Sequence, residues 1–121
     1  MPWSYHIDKE HSFVLVEQSG ACRADELPAI QKAVRNDLDF KASFRALFDL
    51  RGITDLKLSL SEIDTAAKNS PFDGKGRKAF LVDQNIMRGY ARAYERAAIV
   101  GEGGFQLFGE IAEAKEWLGI D

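Results

Sequence analysis

The chain has 121 residues, 45% of them hydrophobic and 29% charged, with a formal net charge of −3. These totals fit one compact domain whose core needs neither a metal nor a disulfide, and the acidic balance excludes a general nucleic-acid binder. With Cys22 as the single cysteine, an internal disulfide and a thiolate zinc cage are excluded as well.

The first residues, Met1-Pro2-Trp3-Ser4-Tyr5-His6, hold neither a basic nor an apolar leader segment. No stretch approaches the roughly 18 apolar residues of a membrane span. The expectation is a soluble, cytoplasmic protein with no transmembrane segment.

Residues 3–8 and 12–18 read as two strands, joined by Lys9-Glu10-His11 closely enough for an antiparallel hairpin. The second strand is apolar on both faces through Phe13, Val14, Leu15 and Val16, as a strand inside a sheet would be. Gly20 ends that pattern. Leu27, Ile30 and Val34 then mark one stripe of an amphipathic helix from Asp25, its expected N-cap, to about Asn36. Pro28 falls in the first turn, where its missing N–H has no helical partner.

The central strand is expected at about 44–50, with Phe44, Ala46 and Phe48 on one face and Arg45, Leu47 and Asp49 on the other. Ser59-Leu60-Ser61-Glu62 fits a capping box. The helix it opens should bury Leu60, Ile63 and Ala67 and end at Asn69-Ser70-Pro71. Leu56 and Leu58 alternate with polar residues ahead of that box. Next come a short buried strand at 78–82 and a helix from Asn85 to about Ala97, with an inner stripe of Ile86, Met87, Tyr90, Ala91, Tyr94 and Ala98. A loop at 101–104, a strand at 105–108 and a helix at 110–118 burying Ile111, Ala114, Trp117 and Leu118 complete the chain. The order is β-β-α-β-α-β-α-β-α, an α/β fold with a largely parallel sheet and an antiparallel first strand.

Three features resemble the SpoIIAA-like (STAS) fold, and within it the small stand-alone bacterial SpoIIAA-like family. They are the opening hairpin with Gly20 before the first helix, the run Arg77-Lys78-Ala79-Phe80-Leu81-Val82 before a Tyr- and Arg-bearing helix, and the ending from Phe108 through Glu113-Ala114-Lys115-Glu116-Trp117-Leu118. The resemblance implies two kinds of function. Anti-sigma factor antagonists of this fold carry an Asp-Ser-Ser-Gly-like turn after the central strand, and its phosphorylatable serine switches partner binding. Laid onto this sequence, that turn is Asp49-Leu50-Arg51-Gly52. Arg51 stands at the acceptor position, with Thr54, Ser59 and Ser61 close by. The small family is also similar in architecture to lipid-carrying CRAL-TRIO domains, which implies a carrier of a small apolar ligand.

Three groups of residues are the candidates for function. Asp49, Arg51 and Thr54 would form a recognition loop at the carboxyl edge of the sheet, where open α/β sheets place their sites. Arg88, Arg92 and Arg96, spaced by four, make one basic face on the third helix. Residues 75–96 carry a local charge of +4 against −7 for the rest, enough to steer an acidic protein partner or a lipid headgroup. Met87, Tyr90 and Tyr94 could line an apolar pocket with phenols as polar handles, an alternative to plain core packing.

His6 and His11 flank a turn without the clustering that a metal site needs. The Gly74-Lys75-Gly76 and Gly101-Glu102-Gly103-Gly104 stretches match no phosphate or dinucleotide fingerprint, so no metal and no cofactor is expected. Pro2, as an N-terminal imino group, is a weak enzyme signal because a second strand follows the first at once. The functional expectation is non-enzymatic: a regulatory protein that docks a protein partner, or a carrier of a small apolar ligand. The N-terminal edge strand could also support a homodimer.

Overall fold

The computed structural model describes residues 2–83, 85–98 and 103–120, with Asn85 and Ile86 described by their backbone only. The elements are β1 (Trp3–Asp8), β2 (Phe13–Arg23), α1 (Glu26–Asn36), β3 (Arg45–Lys57), α2 (Leu60–Lys68), β4 (Lys78–Leu81), α3 (Asn85–Ala97), β5 (Phe105–Phe108) and α4 (Ile111–Leu118). The proposed cap at Asn85, the place of Ile86 in the inner stripe and the loop at Gly101 and Glu102 lie outside the described residues.

The five strands form one sheet in the order β1-β2-β3-β4-β5, with β1 antiparallel to β2 and every other pair parallel. This monotonic order has a direct consequence. Right-handed crossovers that always step the same way put all their helices on one face. Ile30 and Val34 of α1, Ile63 of α2 and Met87 and Ala91 of α3 accordingly pack on the face carrying Val14, Val16, Ala46 and Phe80. Ala114 and Leu118 of α4 take the other face, against Phe13, Leu47, Ala79 and Leu81. The carbonyl ends of α4 are held by two arginines: Arg45 donates to Leu118 O at 2.7 Å, and Arg77 donates to Trp117 O while stacking 5.2 Å above the Trp117 ring.

Several local expectations need correction. The Ser59–Glu62 capping box is present, with Ser59 Oγ accepting from Glu62 N at 3.1 Å and Glu62 Oε1 from Ser59 N at 2.9 Å. Leu60, however, is 64% exposed in the first turn, and the buried stripe of α2 is Ile63, Ala66 and Ala67. Ile111 is similarly exposed at the start of α4. Asp25 occupies the N-cap of α1 without capping it; Glu26 instead folds back to accept Arg23 N at 2.7 Å.

The main departure lies in β2 and β3, which run on to Arg23 and Lys57, well past the expected ends at 18 and 50. Their late segments pair with each other, Cys22 with Leu56 and Arg23 with Lys57. Two bulges allow this. Between the pairs Glu17–Asp49 and Ser19–Gly52, β3 advances three residues for two of β2; between Gly20–Ile53 and Ala21–Asp55 it advances two for one. Glycines sit at both irregularities. Gly20 has φ of +69°, and a Cβ on Gly52 would press to 3.0 Å from Gln18 O. The extra residues re-phase the strand, so that Phe48, Leu50, Ile53, Leu56 and Leu58 all face the helix-covered side. A strict two-residue alternation would have turned Ile53 outwards.

Lys78 is a cost within this core. It is only 4% exposed, its Nζ donates to Gly76 O at 3.0 Å, and it lies 5.4 Å and 5.7 Å from the ring centres of Phe72 and Phe105. Burial holds its pKa below the usual lysine value, with Asp73 opposing the shift. Below the folded-state pKa both states carry the proton, and the burial cost is present in full. Between the folded and unfolded values only the unfolded chain is protonated, so stability rises with pH. We expect Lys78→Met to raise Tm at pH 7 by roughly 2–6 °C. Thermal melts at rising pH should show that lead shrinking towards pH ~10. A variant less stable at every pH would mean that the rings and the Gly76 bond outweigh the burial cost.

Candidate functional site

Between the re-phased wall of β3 and helices α1, α2 and α3, the protein's own side chains leave a cavity of about 90 Å³. Its inner surface is built from fully buried groups, among them Val16, Ile53, Phe80 and Met87. Leu27, Leu50, Leu56 and Tyr90 line it as half-buried residues and mark the side on which it opens. Met87, Tyr90, Ala91 and Tyr94 occupy one side of α3, three and four residues apart, and all four line the cavity. The sequence grouped Met87, Tyr90 and Tyr94 as one apolar surface, and the fold brings them together around this space. Tyr94 also packs edge-on against Phe80, with ring centres 5.4 Å apart.

A few polar groups interrupt the apolar lining. Gln18, 7% exposed, donates from Nε2 to Cys22 Sγ at 3.4 Å. Gln31 donates to Ala66 O at 2.7 Å and so ties α1 to α2 across the cavity. Burial raises the Tyr94 phenol pKa, an effect partly offset by hydrogen bonding with Ser70 and Gln31. The Cys22 thiol is pushed up to about 11 by burial and by the nearby Glu26 carboxylate, with the Gln18 bond opposing the shift. A thiol in that state is neutral at pH 7 and a poor nucleophile. Of these groups, sequence reading singled out only Tyr94 as a pocket residue. Gln18 sits where the strand was expected to end, and Gln31 lies beside the apolar stripe of α1 rather than on it.

The residues expected to form a recognition loop are instead inside β3, because the strand continues past them. Asp49 and Arg51 bracket the first bulge and satisfy each other. Asp49 Oδ1 accepts from Arg51 N at 3.1 Å and from Nε at 3.0 Å, while Oδ2 accepts from Nη2 at 3.0 Å. Burial pushes the Asp49 carboxyl up, but the combined bonds and charge of Arg51 outweigh it and hold the pKa below the ordinary value. Both residues line an open groove of about 580 Å³ at the carboxyl edge, together with Trp3, Glu17 and Asp83. Thr54 is exposed on the strand and lines neither this groove nor the cavity.

Arg88, Arg92 and Arg96 are exposed along the outer side of α3, with Arg92 3.4 Å from Glu95. His11 Nδ1 lies 2.7 Å from Asp8 Oδ2 in the hairpin turn. Among the described residues, no three His, Cys, Asp or Glu side chains are grouped so as to hold a metal, and no helix is long and apolar enough to cross a membrane.

No protein-family model matches the chain, and no curated protein sequence matches it. Among solved structures, it is similar to the crystal structure of an uncharacterized protein from the DUF3478 family, with a SpoIIAA-like fold, from Shewanella loihica PV-4. The TM-score is 0.59 at 16% sequence identity, over 96% of this chain and 93% of that one. The chain therefore has a SpoIIAA-like α/β fold, as its element order led us to expect. At this identity the likeness carries the fold alone, and activity must be argued from the chain's own residues.

The Asp49–Arg51 pair makes a pH-dependent contribution to stability. A carboxyl whose folded pKa is depressed stabilises above the unfolded value and loses that contribution as pH falls through the folded one. Asp49→Asn keeps an acceptor for Arg51 N and removes the charge. It should cost about 1 kcal/mol at pH 7, the pair being partly exposed. Urea titrations should show the difference from wild type closing below pH ~4.

Proposed function

We propose that the protein is a non-enzymatic carrier of a small apolar ligand, held in the cavity between β3 and α3. One observation carries this reading. Protein interiors are close-packed, yet here four residues of a doubly bulged strand line a space that none of the described side chains fills. An apolar lining, a half-exposed rim and a few polar groups are also the general features of small-molecule sites. Binding rather than catalysis is supported by the neutral Cys22 thiol and by the inward commitment of Asp49 and Arg51 to each other.

Native mass spectrometry of freshly purified protein, set against the same sample denatured, tests the proposal. A stoichiometric apolar adduct lost on denaturation is the expected result, and the native mass also reads the oligomeric state. Ala91→Leu places additional methyl groups in the cavity from a good helix former. It should lower adduct occupancy at least tenfold while the far-UV circular dichroism stays unchanged. Full occupancy in that variant would remove the ligand from this site.

A second reading, docking of an acidic protein partner, is favoured by the exposed arginines of α3 and by the open groove at the carboxyl edge. Charge reversal by Arg88→Glu with Arg92→Glu should abolish partner capture in pull-downs from the native cell extract and leave ligand occupancy unchanged. Undiminished capture would exclude this face.

A further inference from the structure

The chemistry of the cavity lining restricts what it can hold. We infer that its ligand is uncharged, an apolar body with one hydrogen-bonding head such as an alcohol or a carbonyl, and that Gln18 binds that head. This rests on the cavity being a binding site and adds the class of ligand. Three observations support it.

Among the described residues, no lysine, arginine or histidine lines the cavity, so a carboxylate or phosphate head would be buried without a counter-charge. The nearby fixed charge has the wrong sign for an anion. Glu26 is buried at the start of α1, with Oε2 on Arg23 N and Oε1 without a hydrogen-bond partner among the described residues, and its charge is felt at Cys22 beside Gln18. Gln18 itself is a buried amide whose Nε2 donates to a sulfur, a weak acceptor. A ligand hydroxyl or carbonyl would exchange that bond for a stronger one. Gln31, by contrast, already donates to a backbone carbonyl at 2.7 Å and is less free to turn. A site that offers a buried amide favours ligands that can bond to it over those of equal size that cannot. Size sets a further limit: a cavity of about 90 Å³ is smaller than the roughly 150 Å³ that accepts benzene, so it takes a short chain or the leading end of a longer one through the open side.

The test titrates uniformly 15N-labelled protein with 1-hexanol, hexanoate and n-pentane at pH 7, reading backbone amides along the cavity and the Gln18 side-chain NH2 signal. The expected result is that hexanol shifts both and binds at least tenfold more tightly than hexanoate. Gln18→Leu should weaken hexanol severalfold and leave n-pentane unchanged. Hexanoate binding as tightly as hexanol would overturn the inference, and that comparison needs no variant. So would hexanol affinity that is indifferent to Gln18→Leu, in which case n-pentane binding shows that the cavity is still a site. If neither hexanol nor n-pentane shifts the cavity amides, the carrier reading fails and the head-group inference falls with it.

Discussion

The phase of β3 is the constraint on which the rest of the structure depends. A strand shows alternate residues to alternate faces, and a single inserted residue exchanges those faces. β3 takes two insertions within six residues: the first brings Ile53 round to the side of Phe48 and Leu50, and the second restores the original phase for Leu56 and Leu58, giving one apolar wall. Asp49 pins the first insertion by accepting the Arg51 backbone N–H and guanidinium together. Gly52 gives β2 room to approach. The cavity, its helical cover and the position of α3 all follow from that wall. The charged pair that looked like a recognition element is thus first a structural one.

Much of the fold was legible because its signals are local. The capping box at Ser59, the apolar stripe of α1 and the buried run at Lys78–Leu81 each declare their type within a few residues, and the alternation of strand and helix leaves few topologies to choose from. The end of β3 was not legible, because its evidence is non-local. Leu56 and Leu58 alternate as a strand should, but Leu50 and Ile53 are three apart and break the period. Only the pairing with Ala21, Cys22 and Arg23 shows that residues have been inserted. The two glycines were visible; what they signalled depended on the neighbouring strand.

The candidate site divides along the same line. Met87, Tyr90 and Tyr94 could be grouped beforehand, since helical spacing alone places them on one side of α3. Gln18 and Gln31 could not, because a buried amide has no periodicity of its own and becomes conspicuous only when its surroundings are known to be apolar. Asp49 and Arg51 were singled out for their chemistry and placed wrongly, because the turn they were assigned to is a bulge inside a strand. Arg88, Arg92 and Arg96 lie on the outer side of α3, opposite the cavity, so one short helix serves both a charged surface and an apolar interior.

The extensions of β2 and β3 have a mechanical consequence. β4 pairs with β3 only from Ala46 to Asp49, whereas β2 accompanies β3 as far as Lys57. Beyond the bulges, the cavity wall therefore belongs to a two-stranded parallel ribbon that has outrun the sheet on its β4 side. Such a ribbon lacks a third strand, and the side chains it sends inwards, Cys22, Ile53 and Leu56, tie it to the helices instead. The half-buried rim at Leu50 and Leu56 is built on this two-stranded part of the backbone, while the floor at Phe80 is anchored in the five-stranded centre. Helix packing therefore carries the load on one wall of the cavity, and the hydrogen-bonded ladder carries it on the other.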